Sequence, residues 1–375
     1  MGASDAAQPA VEKHSALWLD SRRGSLRVGN APVRTPGPGE VVVRARAVAV
    51  NPIDAMGGVA RRIVLPWLRY PAILGSDVAG DIVAVGASVS GLKVGDRVVA
   101  YAVGVEKSSN DPAEGAFQTH VVVREHLCSP LPDTVSFVEA AVLPLAITTA
   151  AAGLFETDQL AFAVPSTGAA EQAGTVLIFG GATSVGMNAI QLARRSGYAV
   201  VATASPRHVA LLQRQGASVV VDYHDRDVVE QIIRQLHGRH LAGTLAVASG
   251  SLRHAITVNA SSTVIGTKRI ASAHPTPETR IRGALARRRG IHVSAIWGGT
   301  PKDTPVGPAI WNGFLPAALA EHRYQIAPTP LVTGHVAKEV VEGKLLALIA
   351  TMSGSARPGH SAPGCFGTKR RPAAC

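Results

Sequence analysis

The residues best able to do chemistry stand in one glycine-rich turn, Gly180-Gly181-Ala182-Thr183-Ser184-Val185-Gly186, set between an apolar run and an amphipathic one. Such a turn leaves backbone N–H groups of the loop and of the next helix start unpaired. With the helix dipole, those donors suit a pyrophosphate. Gly181 is expected to permit the tight turn and Gly186 the close approach of helix to strand, while small Ala182 and Ser184 let phosphate reach the backbone. A glycine turn alone is weak evidence. This one follows a strand pattern and opens a βαβαβ run, the context that dinucleotide binding demands. About 20 positions on, a carboxylate would accept the ribose hydroxyls of a non-phosphorylated cofactor. The residues there are Ser205-Pro206-Arg207-His208, without a carboxylate. A hydroxyl, a guanidinium and an imidazole make a receptor for a 2′-phosphate, so the expected cofactor is NADPH.

The elements that must hold these residues follow from periodicity. Strand, turn and helix read across 175–197, a second strand across 198–205, a helix opened by Pro206 and closed by Gly216, and a third strand across 217–223. That is a parallel array. Later strand candidates are 243–251, 262–267, 290–297 and part of 327–345. Before the array, short runs rich in Val at 41–50, 81–89, 96–103 and 118–125 alternate with Gly/Pro turns at 35–40 and 91–96, as in an all-β barrel-like unit. Residues 136–156 read as helix interrupted by Pro144, and 164–174 as a polar bridge. Residues 1–15 and 353–375 lack apolar periodicity and are expected to be disordered.

A chain of 375 residues favours two domains, and 46% apolar against 17% charged residues excludes a disordered or fibrous protein. The net charge of +11 attracts anions. Arg280, Arg282, Arg287, Arg288 and Arg289 form one basic cluster and Lys369, Arg370 and Arg371 another; with no aromatic interleaved, they read as a solvated face and a tail, and nucleic acid is not expected. Cys128, Cys365 and Cys375 make neither a disulfide framework nor a metal knot and fit a reducing compartment. No secretory lead and no membrane span is expected, so the expected location is cytoplasmic.

Seven blocks, NPID (51–54), LGSDVAGDIVAVG (74–86), KVGDRVVAY (93–101), GAFQTHVVV (115–123), LPLAITTAAAGLF (143–155), VLIFGGATSVGMNAIQLA (176–193) and SPRHVALL…GASVVVDY (205–223), stand in an order that resembles the medium-chain dehydrogenase/reductase superfamily. Within it, the chain looks most like the zinc-independent quinone and enoyl reductases, especially fungal trans-acting enoyl reductases of polyketide pathways. The resemblance implies an α/β protein with a GroES-like β-barrel catalytic domain (16–140), a Rossmann domain with a doubly wound parallel sheet (141–310) and a return to the catalytic domain (311–350). Asn51 and Ser76 stand where zinc-dependent relatives carry Cys and His; neither is a usual zinc ligand, so metal-free chemistry is expected. The resemblance puts Asn51, Pro52, Ile53 and Asp54 on the nicotinamide side of the cleft, with Asp54 as an orienting residue. It puts Asn51 and Thr149 beside the substrate carbonyl, Thr183 and Val185 in the phosphate loop, and Tyr223 against the adenosine phosphate end.

The reaction so implied is NADPH-dependent reduction of an α,β-unsaturated acyl chain, small or tethered to a polyketide synthase carrier, by a monomer or homodimer. A stand-alone quinone or enone reductase and a non-catalytic NADPH-binding protein remain as alternatives. Two departures stand out: TLAVASGS (244–251) lacks the acidic residue usual at the fourth Rossmann strand, and no closing C-terminal strand is recognisable.

Overall fold

The computed structural model describes residues 13–165, 174–273, 277–334 and 346–349. The expected lead over 1–12, the bridge over 166–173, residues 335–345 and the tail over 350–375 lie outside them.

The Val- and Ala-rich run EVVVRARAVAV forms the strand Glu40–Val50, buried along most of both faces. It pairs antiparallel with Asp77–Val85 and with His120–Arg124. Asp77–Val85 passes the sheet on to Arg97–Tyr101, and that strand to Cys128–Pro130. A smaller antiparallel sheet joins Lys13–Leu19 to Leu26–Pro32 and Ala72–Ile73. Part of the expected disordered lead is therefore strand. Lys13 lies opposite Pro32, and His14, Ala16, Leu17 and Leu19 are buried. A partner strand at 26–32 supplies order that local pattern does not show.

The chain returns to this sheet late. The backbone of Leu346–Ile349 runs parallel to Glu40–Val50, with Leu346 opposite Ala47 and Ile349 opposite Val50. A closing strand therefore exists, ahead of residues 353–375, and Leu331–Gly334 pairs antiparallel with it.

The second sheet is parallel throughout. Its order is Val219–Asp222, Ala199–Ala204, Thr175–Phe179, His240–Ala246, Arg269–Ser272, His292–Ala295. Within the expected 262–267, the exposed two-residue strand Ile265–Gly266 pairs parallel with His240–Ala246 as a seventh strand, and the buried fifth strand, Arg269–Ser272, lies just beyond it. Strand order reverses between Thr175–Phe179 and His240–Ala246, and the crevice outside their carboxyl ends is where such sheets take ligands.

Between the sheets lies Pro144–Phe155. Pro144 occupies its first turn, so the proline starts this helix instead of interrupting one; the short helix before it, Phe137–Ala140, is capped reciprocally by Ser136 and Glu139. The apolar stretch Phe137–Phe155, 19 residues within the expected helical span 136–156, is long and apolar enough to cross a membrane by length and composition alone. It is a core element, packed against the helix Ser184–Arg195, because 72% of it is buried.

Candidate active site

The glycine turn sits at the carboxyl end of Thr175–Phe179 and opens the helix Ser184–Arg195. Thr183 caps that helix, accepting from Gly186 N at 3.0 Å and donating to the Gly180 carbonyl at 2.8 Å. The turn itself needs Gly180, whose φ is +86°, and not Gly181 as expected. Gly181 serves packing: a Cβ there would meet Ala202 and Leu212 at 3.0 and 3.1 Å. Gly186 has the expected role in close approach, since its Cβ would lie 2.1 Å from the Gly180 oxygen. Thr183, Ser184 and Val185 are half-buried at the surface of this cradle, and Ala182 is buried beneath it. The missing acidic residue of the fourth strand has a counterpart in packing. Val247 and Ala248 donate to the Phe179 carbonyl, and a Cβ on Gly180 would meet Ala248 N at 2.8 Å.

The next strand, Ala199–Ala204, ends at Ser205. Ser205 Oγ donates to the Tyr223 hydroxyl at 3.2 Å, across to the residue that follows Val219–Asp222. Arg207 and His208 lie in the turn opened by Pro206, with Arg207 Nε donating to His208 Nε2 at 3.0 Å. Partial burial and the Arg207 charge lower the pKa of His208. Tyr223 stacks loosely on His224 with centroids 4.1 Å apart, and Asp222 is turned away into bonds with His224 N and Nδ1. Ser205 and His208, half-buried, and Arg207 and Tyr223, exposed, are thus polar groups at the ends of these two strands suited to an anion.

Beside the antiparallel sheet, the Asn51-Pro52-Ile53-Asp54 turn is tied to a residue that motif reading did not single out, Asp77. Asn51 N donates to Asp54 Oδ2 and Asn51 Nδ2 to Asp77 Oδ2, both at 2.8 Å. Gly75 N donates to Asp54 Oδ1 at 3.1 Å and Leu145 N to Asp77 Oδ1 at 2.6 Å. Burial pushes the Asp77 carboxyl up to about 7 against its hydrogen bonds from Asn51 and Leu145, with Asp54 adding to the rise. Burial likewise pushes Asp54 to about 6, opposed by Asn51, Gly75 and Arg61. Asp54 therefore orients the backbone of its turn and Asp77 orients the Asn51 amide. Pro52 is exposed and Ile53 half-buried in the same turn.

Thr149 projects from Pro144–Phe155 and is half-buried. A Cβ on Gly298 would meet its Oγ1 at 2.4 Å, so only glycine lets the loop after His292–Ala295 lie against this hydroxyl. Beyond it, Glu106 accepts from Tyr101 at 3.0 Å and from Trp297 Nε1 at 2.8 Å, with Lys302 Nζ 3.8 Å away. These bonds fasten the end of the parallel sheet to the antiparallel one. Cys128 is buried, which pushes its thiol up, and it has no part in the crevice. Among the described residues, no group of three or more His, Cys, Asp or Glu side chains is placed to hold a metal. Ser76 is buried next to Asp77.

Comparison with known proteins agrees with this architecture. The Alcohol dehydrogenase GroES-like domain family matches residues 37–133. Dehydrogenase azaJ of Aspergillus niger is 39% identical over 338 residues, covering 89% of this chain and 94% of that protein. Trans-enoyl reductase tazE of Aspergillus terreus is 38% identical over 247 residues, covering 64% and 79% of the two chains. Mycobacterial Rv1454c, solved in complex with NADPH, superposes with a TM-score of 0.60 at 22% identity, covering 90% of this chain and 100% of that one. A GroES-like unit, a doubly wound parallel sheet and full-length fungal relatives coincide in one chain, which is an oxidoreductase belonging to the medium-chain dehydrogenase/reductase superfamily.

Proposed function

We propose that the protein is an NADPH-dependent enoyl reductase that reduces the C=C bond of an α,β-unsaturated acyl chain carried by a polyketide synthase, without a metal ion. The observation that carries this reading is the Asn51 amide, held by Asp77 at the position where zinc-dependent relatives bind their metal. An amide there can orient a carbonyl oxygen but cannot ligate zinc in the usual way. The name of the relative tazE supports the same reaction class.

The residues fit the cofactor. Gly186 lets the helix start lie against Gly180 with its first-turn N–H groups at the loop, and Ser205, Arg207, His208 and Tyr223 offer a cationic, hydroxyl-bearing rim for a 2′-phosphate. When bound, NADPH supplies a hydride for the β-carbon. The electron pair of the C=C bond then shifts toward the acyl oxygen, giving an enolate. Asn51 has a second amide proton beyond the one given to Asp77, and Thr149 carries a hydroxyl proton of its own. Both are donors for the enolate oxygen, and water returns a proton to the α-carbon. The buried Asp77 keeps the Asn51 amide in one orientation during this change.

Steady-state NADPH oxidation with crotonyl thioesters, enones and quinones tests the proposal. Turnover of acyl thioesters supports it. Turnover of quinones alone makes the protein a quinone reductase, and tight NADPH binding without any turnover makes it a binding protein. The cofactor part has its own test. Arg207→Ser is expected to weaken NADPH about 10- to 100-fold while leaving NADH unchanged, the loss of a charge-assisted bond of about 1.5–3 kcal/mol. Fluorescence titration with both cofactors measures the ratio, and an unchanged ratio removes Arg207 from 2′-phosphate recognition.

A further inference from the structure

We propose that the cleft lined by Ser21, Arg22, Arg23, Gly58, Val59 and Arg62 seats the phosphate ester on the arm of a carrier-bound acyl substrate. This rests on the enoyl reductase reading and adds to it a second point of substrate contact.

The cleft, of about 380 Å³, lies between the turn joining Lys13–Leu19 to Leu26–Pro32 and the helix Gly58–Val64. Several arginines elsewhere in the molecule are neutralised by carboxylates. Arg27 pairs with Asp20, Arg44 and Arg46 with Asp81, Arg234 with Asp227 and Arg323 with Glu321. Arg22, Arg23 and Arg62 are exposed and make no ion pair with a described residue. Asp20, the acidic residue of the same turn, already receives two hydrogen bonds from Arg27.

Three like charges are held together by a built support. Arg61 is buried, with its Nη1 donating to the Arg22 carbonyl at 3.0 Å and its Nη2 to the Met56 carbonyl. Gly58 allows the contact, since a Cβ there would lie 2.9 Å from the Arg22 oxygen and 3.0 Å from Arg23 Cγ. Three guanidinium forks lining one cleft match the oxygens of a phosphate. Val59 and Ile63, 70% and 68% exposed, give the rim an apolar edge for the aliphatic part of an arm. The buried Arg61 that supports the cleft also holds the Met56 carbonyl and acts on the Asp54 carboxyl, so this support adjoins the Asn51–Asp54 turn.

The test uses the NADPH-loaded protein and three probes: 4′-phosphopantetheine, pantetheine and inorganic phosphate, followed by calorimetry. Phosphopantetheine is expected to bind about tenfold or more tightly than either of the others, and the double variant Arg22→Ala/Arg62→Ala is expected to lose that preference. Turnover of crotonyl-N-acetylcysteamine, which lacks the phosphate, should stay unchanged in the variant, while KM for crotonyl-phosphopantetheine rises about tenfold. Arg62→Glu should give the same pattern more strongly. Equal binding of phosphopantetheine and pantetheine, or a preference that survives in the variants, overturns the proposal. Inorganic phosphate binding as tightly as phosphopantetheine assigns the cleft to a simple anion and overturns it too. A phosphate preference in a protein that turns over no acyl thioester would sink the enoyl reductase reading and leave the cleft as a phosphate-ester site.

Discussion

Gly186→Ala is expected to abolish cofactor binding and to destabilise the parallel-sheet half by about 2–4 kcal/mol. The added Cβ would stand 2.1 Å from the Gly180 oxygen and 2.9 Å from Gly181 Cα, and both are backbone atoms that cannot rotate aside. The carbonyl is also pinned, because it accepts the Thr183 hydroxyl at 2.8 Å while the same hydroxyl accepts from Gly186 N at 3.0 Å. Relief requires the helix Ser184–Arg195 to move off its strand, which breaks the cap at a cost of about 1 kcal/mol and turns the first-turn N–H groups away from a bound pyrophosphate. Gly313→Ala makes the control, since its nearest neighbour would lie 3.8 Å away. Urea unfolding and calorimetric titration with NADPH measure both effects. Binding and stability like those of the unsubstituted protein would show that the turn is not the cofactor cradle.

How far this site was legible depends on how local its causes are. The glycine turn and the residues 205–208 announce themselves because turn, cap and strand end are fixed by neighbours in the chain, and the parallel sheet follows from strand–helix alternation. The assignment of the turn to Gly181 failed by one residue, since φ at Gly180 is decided by where the strand stops, and boundaries are the weakest part of a pattern. The first strand was hidden because its partner, Leu26–Pro32, carries Arg27, Gly29 and Asn30 instead of an alternating apolar pattern. Asp77 escaped notice for another reason. Its two partners, Asn51 and Leu145, lie 26 and 68 residues away, and nothing in a strand's own pattern says that a buried carboxylate will find both. The Gly298 contact with Thr149 and the Glu106 bridge to Trp297 are likewise products of chain crossings.

Asp77→Leu should remove about 2–5 kcal/mol of stability and lower kcat about 10- to 100-fold with little change in NADPH affinity. The side chain is fully buried and accepts from two donors, Asn51 Nδ2 and Leu145 N. Leucine leaves both buried donors without a partner, at about 1–3 kcal/mol each. Leu145 N belongs to the first turn of Pro144–Phe155, where a nearby carboxylate also favours the helix dipole. With no acceptor, the Asn51 amide rotates, and a misplacement of about 1 Å near the reacting atoms costs up to about 100-fold.

The pH dependence gives an independent reading. Burial raises Asp77 from 3.8 to about 7, so across that window the folded protein holds a proton that the unfolded chain has released. Stability from this group is therefore full below pH 3.8 and declines as pH rises toward 7. Asp54, raised to about 6, acts in the same direction. Asp77→Asn keeps the shape but cannot titrate. Between pH 5 and pH 7 its stability should fall by roughly 2 kcal/mol less than that of the unsubstituted protein. The asparagine can offer an acceptor to only one of the two donors, so its kcat should lie between the parent and leucine values. Urea unfolding at the two pH values, with kcat measured on crotonyl thioesters, separates the contributions. A leucine variant with unchanged kcat, or an asparagine variant with the parent's pH slope, would mean that the Asn51 amide is held by something other than this carboxylate.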